Sequence, residues 1–457
     1  MAIYHLPRGT QDFLFERTRR LEYIESVLRD LAESYGYAEI RTPIFEHTEV
    51  FLRSVGESSD IVNKEMYTFT SRGERSLTLR PEGTAGVIRA FVEQKVYAQQ
   101  DYPYKAFYVG PVFRYERPQA GRYRQLHQFG IESIGTRTPF IDAEIILMAC
   151  HMLNELGVHH YRVKINSIGD ELSLNNYRKA LQEYFAPMIS TLCEDCHRRH
   201  EQNALRILDC KIDGDKEIVK NAPKIADFLS KESQQYFDQT LQVLNDYQVP
   251  YEVDDRLVRG LDYYTDVVFE IEAEDHEGNS FGAICGGGRY DRLVKEFDGP
   301  ELPAAGFAFG IERLLLLLEK DEAFNSIERE IETYVMPLES TVFQYAFDVM
   351  MHLRLQGIQS DMDYGMRSIK AQFKTVDRKR AQFAILIGTA EMEQQQVTVK
   401  SNATKEQKTI QVDELVPYLA EQFAACEEET EHEHTCDCGH GDHDCCHGEG
   451  DCHHHQH

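Results

Sequence analysis

A long β-hairpin is the strongest constraint that this sequence places on its fold. Two β-rich runs, "YKAFYVGPVFRYE" and "QLHQFGIESIG", are separated by the polar loop "RPQAGRYR". Aromatic and β-branched residues on both sides of a polar stretch are typical of paired antiparallel strands. A second pair of such runs, "VVFEIEAED" and "SFGAICGGGRYDRLV", flanks the turn "HEGN". The sequence therefore predicts an α+β domain built on an antiparallel sheet.

Helices are predicted around these strands. Residues 15–35 carry leucine and isoleucine at helical spacing, and "DAEIILMACHMLNEL" is amphipathic. From about residue 170 to 250 the sequence is polar and has few β-branched runs, which predicts mostly helical structure. We therefore expect 1–169 and 251–325 to form one domain, with 170–250 as a helical insertion in it.

A second domain and a tail follow. The segments "TYVMPL", "FQYAFDVMMHLRLQG", "IQSDMD", "SIKAQFKTVDRKRA" and "FAILIG" alternate between strand and helix patterns. This βαβαβ order predicts a separate α/β domain with a largely parallel sheet over residues 330–426. Residues 427–457 form a low-complexity tail, rich in His, Cys, Asp and Glu, which is expected to be disordered without metal.

The charge balance argues against a generic nucleic-acid binder. The chain has 77 acidic and 49 basic residues, a net charge of −28, so phosphates are repelled by most of its surface. Any basic patch therefore stands out. The N-terminus lacks the apolar stretch of a secretory signal, and the run "LLLLL" is too short to cross a bilayer. We expect a cytoplasmic protein with no membrane partner.

Several arginines accompany glycine-rich or strand-flanking segments. Arg114, Arg117, Arg122 and Arg124 crowd onto the hairpin loop and its arms without a compensating carboxylate cluster, which favours a polyphosphate ligand over a merely solvated basic loop. Arg259 precedes a glycine that would let a ligand approach closely. By itself "CGGGRYD" is a weak phosphate-binding signal, and a glycine-rich turn or bulge is the simpler interpretation.

Taken together and in order, these segments resemble the signatures of class II aminoacyl-tRNA synthetases, specifically of the histidyl-tRNA synthetase family. "YAEIRTPIFE" is similar to motif 1, "FRYERPQAGRYRQLHQFGIE" to motif 2 and "GFAFGIERL" to motif 3. "LVRGLDYYT" and "GGGRYD" resemble the two histidine-specific signatures, and "PRGTQDF" resembles the family's N-terminal opening. The resemblance covers about residues 3–425 and leaves the tail outside it.

The resemblance implies a fold and a reaction. We expect a class II catalytic domain, a C-terminal anticodon-binding domain and a homodimer with motif 1 at its interface. The enzyme would activate L-histidine with ATP, taken as its Mg²⁺ complex, to give histidyl-adenylate and pyrophosphate. It would then transfer histidine to the 3′ end of tRNA(His). Arg114 and Arg259 are implied as the catalytic pair on the α-phosphate, where charge grows in the transition state.

The resemblance also implies which residues bind the two small substrates. Glu132 and Tyr264 would contact the two imidazole nitrogens, which would reject amino acids that lack them. The alternative for Glu82 is helix capping. The residues expected to bind histidine are Glu82, Gly83, Thr84, Arg114, Gln128, Glu132, Arg259, Tyr263, Tyr264 and Tyr290. Those expected to bind ATP are Arg114, Arg122, Leu126 and Arg313.

Leu126 departs from the family pattern, in which an aromatic residue at this position stacks on adenine. Leucine keeps an apolar surface and loses stacking worth about 1 kcal/mol. The expected consequence is slightly weaker binding of ATP, with the activity retained.

A basic helix face is predicted in the C-terminal domain. Arg367, Lys370, Lys374 and Arg378 recur at spacings of three or four residues, so they would lie on one side of a helix. Against the acidic composition this stripe indicates a tRNA contact. The alternative is an ordinary solvated helix face.

The helical insertion contains a cysteine-rich stretch. "CEDCHRRH" and Cys210 together offer Cys193, Cys196, His197, His200 and Cys210. Cys-x₂-Cys with further ligands can bind zinc, but no second Cys-x₂-Cys or His-x₃-His pair follows. The favoured interpretation is that these cysteines pack between helices. The body's five cysteines are scattered, so a disulfide framework is not expected.

The tail is dense in thiols and imidazoles, which suit Zn²⁺, Ni²⁺, Co²⁺ or copper. A cloned tag is the alternative for "HHHQH", although the upstream Cys/His bias favours a native metal-binding extension. Metal bound there would not be required for catalysis. The predicted ligands are Cys436, Cys438, His440, His443, Cys445, Cys446, His447, Cys452, His453, His454 and His455.

Two other functions remain open at this point. A regulatory subunit of ATP phosphoribosyltransferase shares the expected core fold and would bind histidine without charging tRNA. The retained Arg114, Arg259 and Arg313 and the basic C-terminal domain argue against it. A metal-sequestering protein would explain the tail, but it would not explain the amino-acid activation motifs upstream.

Overall fold

The computed structural model describes residues 4–56, 59, 61–99, 101–320, 324 and 331–434, and of residues 425–434 it describes the backbone alone. The chain divides into two compact units, Met1–Ile327 and Glu328–His457, here called unit 1 and unit 2. Among the described residues, no helix has both the length and the apolar character needed to cross a membrane.

Unit 1 is built on β-strands of very different length. The strands are β1 (Ala38–Glu39), β2 (Phe45–His47), β3 (Tyr67–Thr70), β4 (Ser76–Leu79), β5 (Tyr104–Phe113), β6 (Gln125–Ile134), β7 (Tyr161–Ser167), β8 (Tyr251–Val253), β9 (Thr265–Glu274), β10 (Ser280–Arg289) and β11 (Ala304–Gly310). Eight of them form one sheet in the order β1-β5-β6-β11-β10-β9-β7-β8, and β2-β4-β3 form a small separate sheet.

The predicted hairpin lies at the centre of this architecture. β5 and β6 pair antiparallel over ten residues each, from Tyr104 opposite Ile134 to Phe113 opposite Gln125. The six central strands of the large sheet are antiparallel, as expected. The short edge strands β1 and β8 pair in parallel, so the complete sheet is mixed.

Helices cover both faces of the large sheet. Unit 1 has α1 (Glu16–Ser34), α2 (Thr48–Val55), α3 (Thr84–Glu93), α4 (Pro139–Glu155), α5 (Glu171–Phe185), α6 (Glu194–Gln202), α7 (Glu217–Lys220), α8 (Lys231–Asp246), α9 (Leu293–Glu296) and α10 (Ile311–Lys320). One core joins α1, α4, α8 and α10 to the sheet through residues such as Phe129 and Phe269. The other face carries α3, α5, α6 and the two tyrosines that precede β9.

Residues 170–250 are helical, as predicted. Their last helix, α8, buries Tyr236, Phe237 and Leu244 in the same core as α4. Apolar positions three, four and seven residues apart on α8 place these side chains on one face. The helical segment therefore contributes to the central core of unit 1 as well as to its second face.

Unit 2 is a smaller α/β layer structure. Its strands are β12 (Thr333–Pro337), β13 (Ser360–Met362), β14 (Phe383–Ile387), β15 (Gln396–Ser401) and β16 (Gln407–Gln411), and its helices are α11 (Phe343–Leu355), α12 (Ile369–Arg378), α13 (Thr389–Glu393) and α14 (Leu415–His434). The strand order is β13-β12-β14-β15-β16.

Two features of unit 2 differ from the sequence-based prediction. The sheet is not largely parallel, because β15 and β16 pair antiparallel. The link from β14 to β15 is too short for a parallel crossover, which needs about a dozen residues. In addition, α14 continues to His434, beyond the predicted start of a disordered tail at 427. Residues 435–457, which contain all the predicted tail ligands, lie outside the described residues.

Candidate active site

One large cavity of about 780 Å³ opens in unit 1, above the central strands. It lies between β6, β10 and β11, the segment that leads into β9, and parts of the helical insertion. Of the residues predicted to bind histidine or ATP, all except Gly83 and Glu132 line it. The predicted residues in its walls are Glu82, Thr84, Arg114, Arg122, Leu126, Gln128, Arg259, Tyr263, Tyr264, Tyr290 and Arg313.

Glu132 lies just behind this wall, as a buried carboxyl group held by two hydroxyls. Thr84 Oγ1 donates to Glu132 Oε1 at 2.7 Å, and the Tyr290 hydroxyl donates to Oε2. Only 1% of Glu132 is exposed, and this burial raises its pKa well above the usual range. The two hydroxyls fix the orientation of this carboxyl group, which can form a further hydrogen bond to a polar ligand group.

Gly306 makes this arrangement possible and was not singled out by sequence reasoning. A Cβ on Gly306 would lie 2.6 Å from the Tyr290 hydroxyl oxygen and 2.8 Å from Glu132 Oε2. The signal was available in the sequence, since Gly306 begins the segment "GFAFGIERL". Gly83 acts in a comparable way beneath the cavity, because a Cβ there would lie 2.1 Å from the buried ring of Tyr108.

Glu82 caps a helix. Its two carboxylate oxygens accept hydrogen bonds from the backbone N–H groups of Thr84 at 2.7 Å and Ala85 at 2.8 Å, at the start of α3. Burial raises the pKa of Glu82, and these backbone donors oppose that rise. Capping is therefore a real role of Glu82, and the same side chain also lines the cavity.

Arg259 crosses the cavity floor and forms an ion pair with Glu270 of β9. Its guanidinium lies directly over Gly286, where a Cβ would be 2.0 Å from Nη2. Burial opposes ionisation, but the charge of Glu270 raises the pKa of Arg259, so the guanidinium stays charged. The glycine run "GGG" therefore lies within strand β10 and makes room for an arginine, rather than forming a phosphate loop.

Three further arginines surround the same space. Arg114, just after β5, donates from Nε to the carbonyl oxygen of Pro81 at 2.8 Å, and Arg313 donates to the carbonyl oxygen of Ala283. Burial, followed by the nearby charge of Arg122, lowers the pKa of Arg313. The expected lack of compensating carboxylates is wrong in part, because Glu116 is 3.9 Å from Arg122 and Glu270 pairs with Arg259. Arg114 and Arg313 instead contact backbone carbonyl oxygens, and cations so placed favour an anionic ligand.

Aromatic rings and an amide complete the inner end of the cavity. The ring centroids of Tyr263 and Tyr264 are 4.7 Å apart, and that of Tyr290 is 5.3 Å from Tyr263. Burial raises the pKa of Tyr263 and Tyr264, so both hydroxyls keep their protons and can donate. Among the described residues no hydrogen-bond partner is found for the buried Oε1 of Gln128, which leaves it available to a ligand.

Residues of the helical insertion also reach the cavity, and none of them was predicted to lie there. Arg199, Arg206 and Cys210 are in the wall. Arg206 donates from Nη1 to the carbonyl oxygen of Arg259 at 3.1 Å. This hydrogen bond connects the helical insertion to Arg259. No sequence motif predicts this contact, because Arg206 and Arg259 are far apart in the chain.

The predicted basic face in unit 2 is present in part. Lys370, Lys374 and Arg378 are exposed on α12. Arg367 was expected on the same helix, which is wrong: α12 begins at Ile369, and the Nε of Arg367 instead bonds Asp363 Oδ2 at 3.0 Å.

Comparisons with known proteins agree on the family of both units. A family model described as histidyl-tRNA synthetase matches residues 9–314, and one described as an anticodon binding domain matches residues 332–422. A histidine–tRNA ligase of Geobacillus thermodenitrificans is 49% identical over 418 residues, which is 92% of this chain and 98% of the relative. One from Bacillus subtilis is 47% identical over 413 residues, 90% of this chain and 97% of the relative.

Solved structures are similar as well. The crystal structure of apo histidyl-tRNA synthetase from S. aureus has a TM-score of 0.78 and 42% identity, and the match covers 91% of this chain and 100% of that one. A Bacillus halodurans structure described as an ATP phosphoribosyltransferase regulatory subunit/histidyl-tRNA synthetase has a TM-score of 0.57, with 81% of this chain and 96% of that one covered. At 22% identity the second likeness shows a shared fold alone.

Proposed function

The chain belongs to the histidyl-tRNA synthetase family, and from this premise we propose how its cavity carries out the reaction of a histidine–tRNA ligase. A carboxylate oxygen of histidine attacks the α-phosphorus of ATP, and pyrophosphate leaves. A hydroxyl of the terminal ribose of tRNA(His) then attacks the acyl carbon of the adenylate, and AMP leaves. Both steps depend on positioning and on stabilising charge, rather than on a covalent enzyme intermediate.

Arg114 and Arg259 stabilise the charge that develops on the α-phosphoryl group. The Nε–H of Arg114 donates to the carbonyl oxygen of Pro81, which holds this side chain in the cavity wall. Arg259 is fixed by Glu270 and by the space over Gly286. Two guanidiniums held before substrate arrives cost little reorganisation in the transition state.

The imidazole of histidine is recognised at the tyrosine-lined end of the cavity. One ring nitrogen bonds the Glu132 carboxyl group, which Thr84 and Tyr290 hold in place, and the other bonds the Tyr264 hydroxyl. The observation that carries the proposal is this buried carboxyl group, held by Thr84 and Tyr290 of the wall of the cavity that Arg114 and Arg259 also line. A side chain without two ring nitrogens would leave these groups unpaired, which costs several kcal/mol or about 10⁴-fold in specificity.

The α-amino group of histidine and the nucleotide occupy the remaining polar positions. The ammonium donates hydrogen bonds to Gln128 Oε1, Glu82 and Thr84. The rings of Tyr263 and Tyr290 pack around the imidazole of the substrate. ATP enters as its Mg²⁺ complex. Arg122 and Arg313 bind its β- and γ-phosphates or flank the adenine, and Leu126 lies against the base.

Amino-acid-dependent ATP–pyrophosphate exchange, run with each of the twenty amino acids, tests this proposal. We expect exchange with histidine alone. A lack of exchange with histidine in a folded protein would remove the activation step and would favour the histidine-binding regulatory function instead. Charging of tRNA(His) transcripts, assayed separately, tests the second step.

The helix α12 of unit 2 is proposed as part of the tRNA contact, through Lys370, Lys374 and Arg378. Their side chains are exposed, and no acidic residue of the described chain forms an ion pair with them within 4.0 Å. We also propose that the enzyme works in the cytoplasm, where its tRNA substrate is found.

A homodimer is proposed from exposed apolar residues in and near the motif 1 segment. Phe45 of β2 is 50% exposed and Phe69 of β3 is 45% exposed, and Ile44, just before β2, is 44% exposed. Exposed apolar residues grouped in this way are typical of protein–protein contacts. Sedimentation of the wild type should give a dimer, and Phe45→Glu should shift it towards monomer; a monomeric wild type would contradict the proposal.

The Cys/His-rich tail is proposed to bind transition-metal ions such as Zn²⁺ or Ni²⁺ independently of catalysis. The support is its composition, since thiolates and imidazoles are the ligands these ions prefer. The test is a full-length variant in which every Cys and His of residues 435–457 is replaced by Ser, here called the tail-substituted variant. It should bind less metal than the wild type and charge tRNA at the same rate; equal metal content would contradict the proposal.

A further inference from the structure

Three cysteines and one aspartate meet in the helical insertion of unit 1. Cys193 caps the start of α6, Cys196 lies in its first turn, and Cys210 and Asp213 follow the next short helical turn. The Sγ atoms of the cysteines and a carboxylate oxygen of Asp213 all lie within 4.8 Å of one another. Two separate stretches of chain therefore bring four potential metal ligands to one point.

The distances fit a tetrahedral thiolate site. With Zn–S bonds of about 2.3 Å, neighbouring sulfurs of a tetrahedron lie about 3.8 Å apart. The Sγ atoms of Cys193 and Cys210 are 3.7 Å apart, and Cys210 Sγ is 3.9 Å from Asp213 Oδ2. A disulfide would need about 2.05 Å between the sulfurs, so the two cysteines are present as free thiols.

Burial and hydrogen bonds also favour a bound cation. Cys196 and Asp213 have no exposed surface and Cys210 has 6%, whereas Cys193 is partly exposed and leaves a path to solvent. Asp213 accepts from the backbone N–H of Cys193 at 2.7 Å, and its own N–H donates to Cys210 Sγ at 3.4 Å. Such contacts orient the ligands of a metal from outside its coordination sphere.

The sequence spacing supports this geometry once Asp213 is included. The ligands follow the pattern Cys-x₂-Cys-x₁₃-Cys-x₂-Asp. The second half therefore has its own pair at the same spacing as the first, with a carboxylate in place of a thiol. The histidines considered from sequence are not part of the cluster: His197 is exposed, and His200 Nε2 bonds the carbonyl oxygen of Gln182 at 2.9 Å.

We propose that Cys193, Cys196, Cys210 and Asp213 bind one Zn²⁺ ion as a structural site. Three thiolates and a carboxylate carry four negative charges, which Zn²⁺ and the Lys216 ammonium, 2.8 Å from Asp213 Oδ1, largely compensate. Zinc fits this soft ligand set and closed tetrahedral geometry better than Mg²⁺ or Ca²⁺.

The position of the site gives it a consequence for the cavity. Cys210 is a wall residue, and Arg206, which lies between the two ligand pairs in sequence, holds the carbonyl oxygen of Arg259. An ion that joins the two ligand pairs would fix the segment between them. The metal site would therefore stabilise the wall that positions Arg259, without touching substrate.

Metal content of the tail-substituted full-length variant tests the site, because that protein lacks the competing tail ligands. Purified without added metal and dialysed against a weak chelator, it should retain about one zinc per chain. Adding Cys196→Ser should lower this by at least about fivefold, whereas the control Cys150→Ser, at a buried cysteine outside the cluster, should leave it unchanged. Less than about 0.1 zinc per chain in the parent, or equal content in Cys196→Ser, would overturn the proposal.

X-ray absorption at the zinc edge gives a second test that does not need a destabilised variant. The parent should show three sulfurs at about 2.3 Å and one oxygen at about 2.0 Å. Asp213→Cys should keep the metal and change the shell to four sulfurs. A shell of nitrogen and oxygen in the parent, or an unchanged shell in Asp213→Cys, would show that zinc binds elsewhere.

Discussion

The guanidinium of Arg259 lies on the bare backbone of Gly286, with no room between them for a single methyl group. The Cβ of an alanine at 286 would fall 2.0 Å from Nη2, and two other atoms of the guanidinium lie within 2.6 Å of the same point. The strand residue therefore sets where the arginine can lie.

Gly286→Ala should displace Arg259 and reduce the rate of histidine-dependent exchange by about 10²-fold, since a misplaced charge stabilises the transition state poorly. The chain should stay folded, because alanine suits a strand at least as well as glycine. Gly73→Ala is the control, since its nearest neighbour, Arg75 Nε, is 3.8 Å from the new Cβ. The exchange rates of both variants test the prediction, and circular dichroism checks that both are folded. A wild-type exchange rate in Gly286→Ala would contradict the role given to Arg259.

Arg259→Ala removes the guanidinium altogether and should lower exchange by about 10³-fold or more, with the fold intact. The loss should appear mainly in kcat, because the arginine acts on charge that forms in the transition state. Steady-state exchange kinetics measure it. A rate near that of the wild type would mean that Arg259 only pairs with Glu270.

The buried Glu132 gives a prediction about pH. A carboxyl group whose pKa is raised by folding contributes stability that is fully present below its unfolded pKa and is lost as pH rises towards the folded pKa. Glu132→Gln has no such loss. Without histidine, the Tm of Glu132→Gln relative to wild type should therefore increase from about pH 5 to about pH 8.

Tyr290→Phe is the matched control for that experiment, since it keeps the titrating carboxyl group and removes one hydrogen bond to it. Its Tm difference from wild type should not increase with pH in the same way. Both variants should raise the KM for histidine by about tenfold or more and leave the KM for ATP nearly unchanged, because the imidazole loses its oriented partner. An unchanged KM for histidine in both would place the imidazole elsewhere.

Arg289 should be essential for stability rather than for chemistry. It has no exposed surface, and its Nε and Nη2 bond both carboxylate oxygens of Asp142 at 2.9–3.1 Å. Arg289→Met leaves a buried carboxylate without its cation and should cost about 3–5 kcal/mol in urea unfolding. Arg162→Met, at an exposed pair with Glu252, should change stability by less than about 0.5 kcal/mol. Equal losses of unfolding free energy in Arg289→Met and Arg162→Met would show that burial of the ion pair does not determine its contribution to stability.

Charge reversal on α12 tests the tRNA contact. Lys370→Glu with Lys374→Glu should raise the KM for tRNA by about tenfold and weaken its salt dependence, while exchange without tRNA is unchanged. Lys405→Glu with Lys408→Glu makes the same change of charge at exposed positions elsewhere in unit 2. Similar losses in both double variants would indicate a general electrostatic effect.

How much could be predicted from sequence depended on whether a contact lay within a motif. Glu132, Thr84 and Tyr290 were expected at one site because each stands in a recognisable segment, and the hairpin β5–β6 followed from strand periodicity. Arg206 was missed, since its contact with Arg259 joins distant residues with no pattern between them. Asp213 was missed because a single aspartate can be recognised as a candidate metal ligand only when the fold places it beside the three thiols.

The alternation along β6 has a consequence for how this enzyme tolerates change. Phe129 and Ile131 enter the core on one face, while Gln128 lines the cavity and Glu132 contacts the wall residues Thr84 and Tyr290 on the other. Insertion of a single residue within the strand would exchange the two sets, so length variation among relatives should be confined to the hairpin loop. A deep mutational scan of residues 125–134 should show two alternating patterns. Core-facing positions should accept apolar side chains of similar volume, and positions on the other face should accept only side chains with the same functional group.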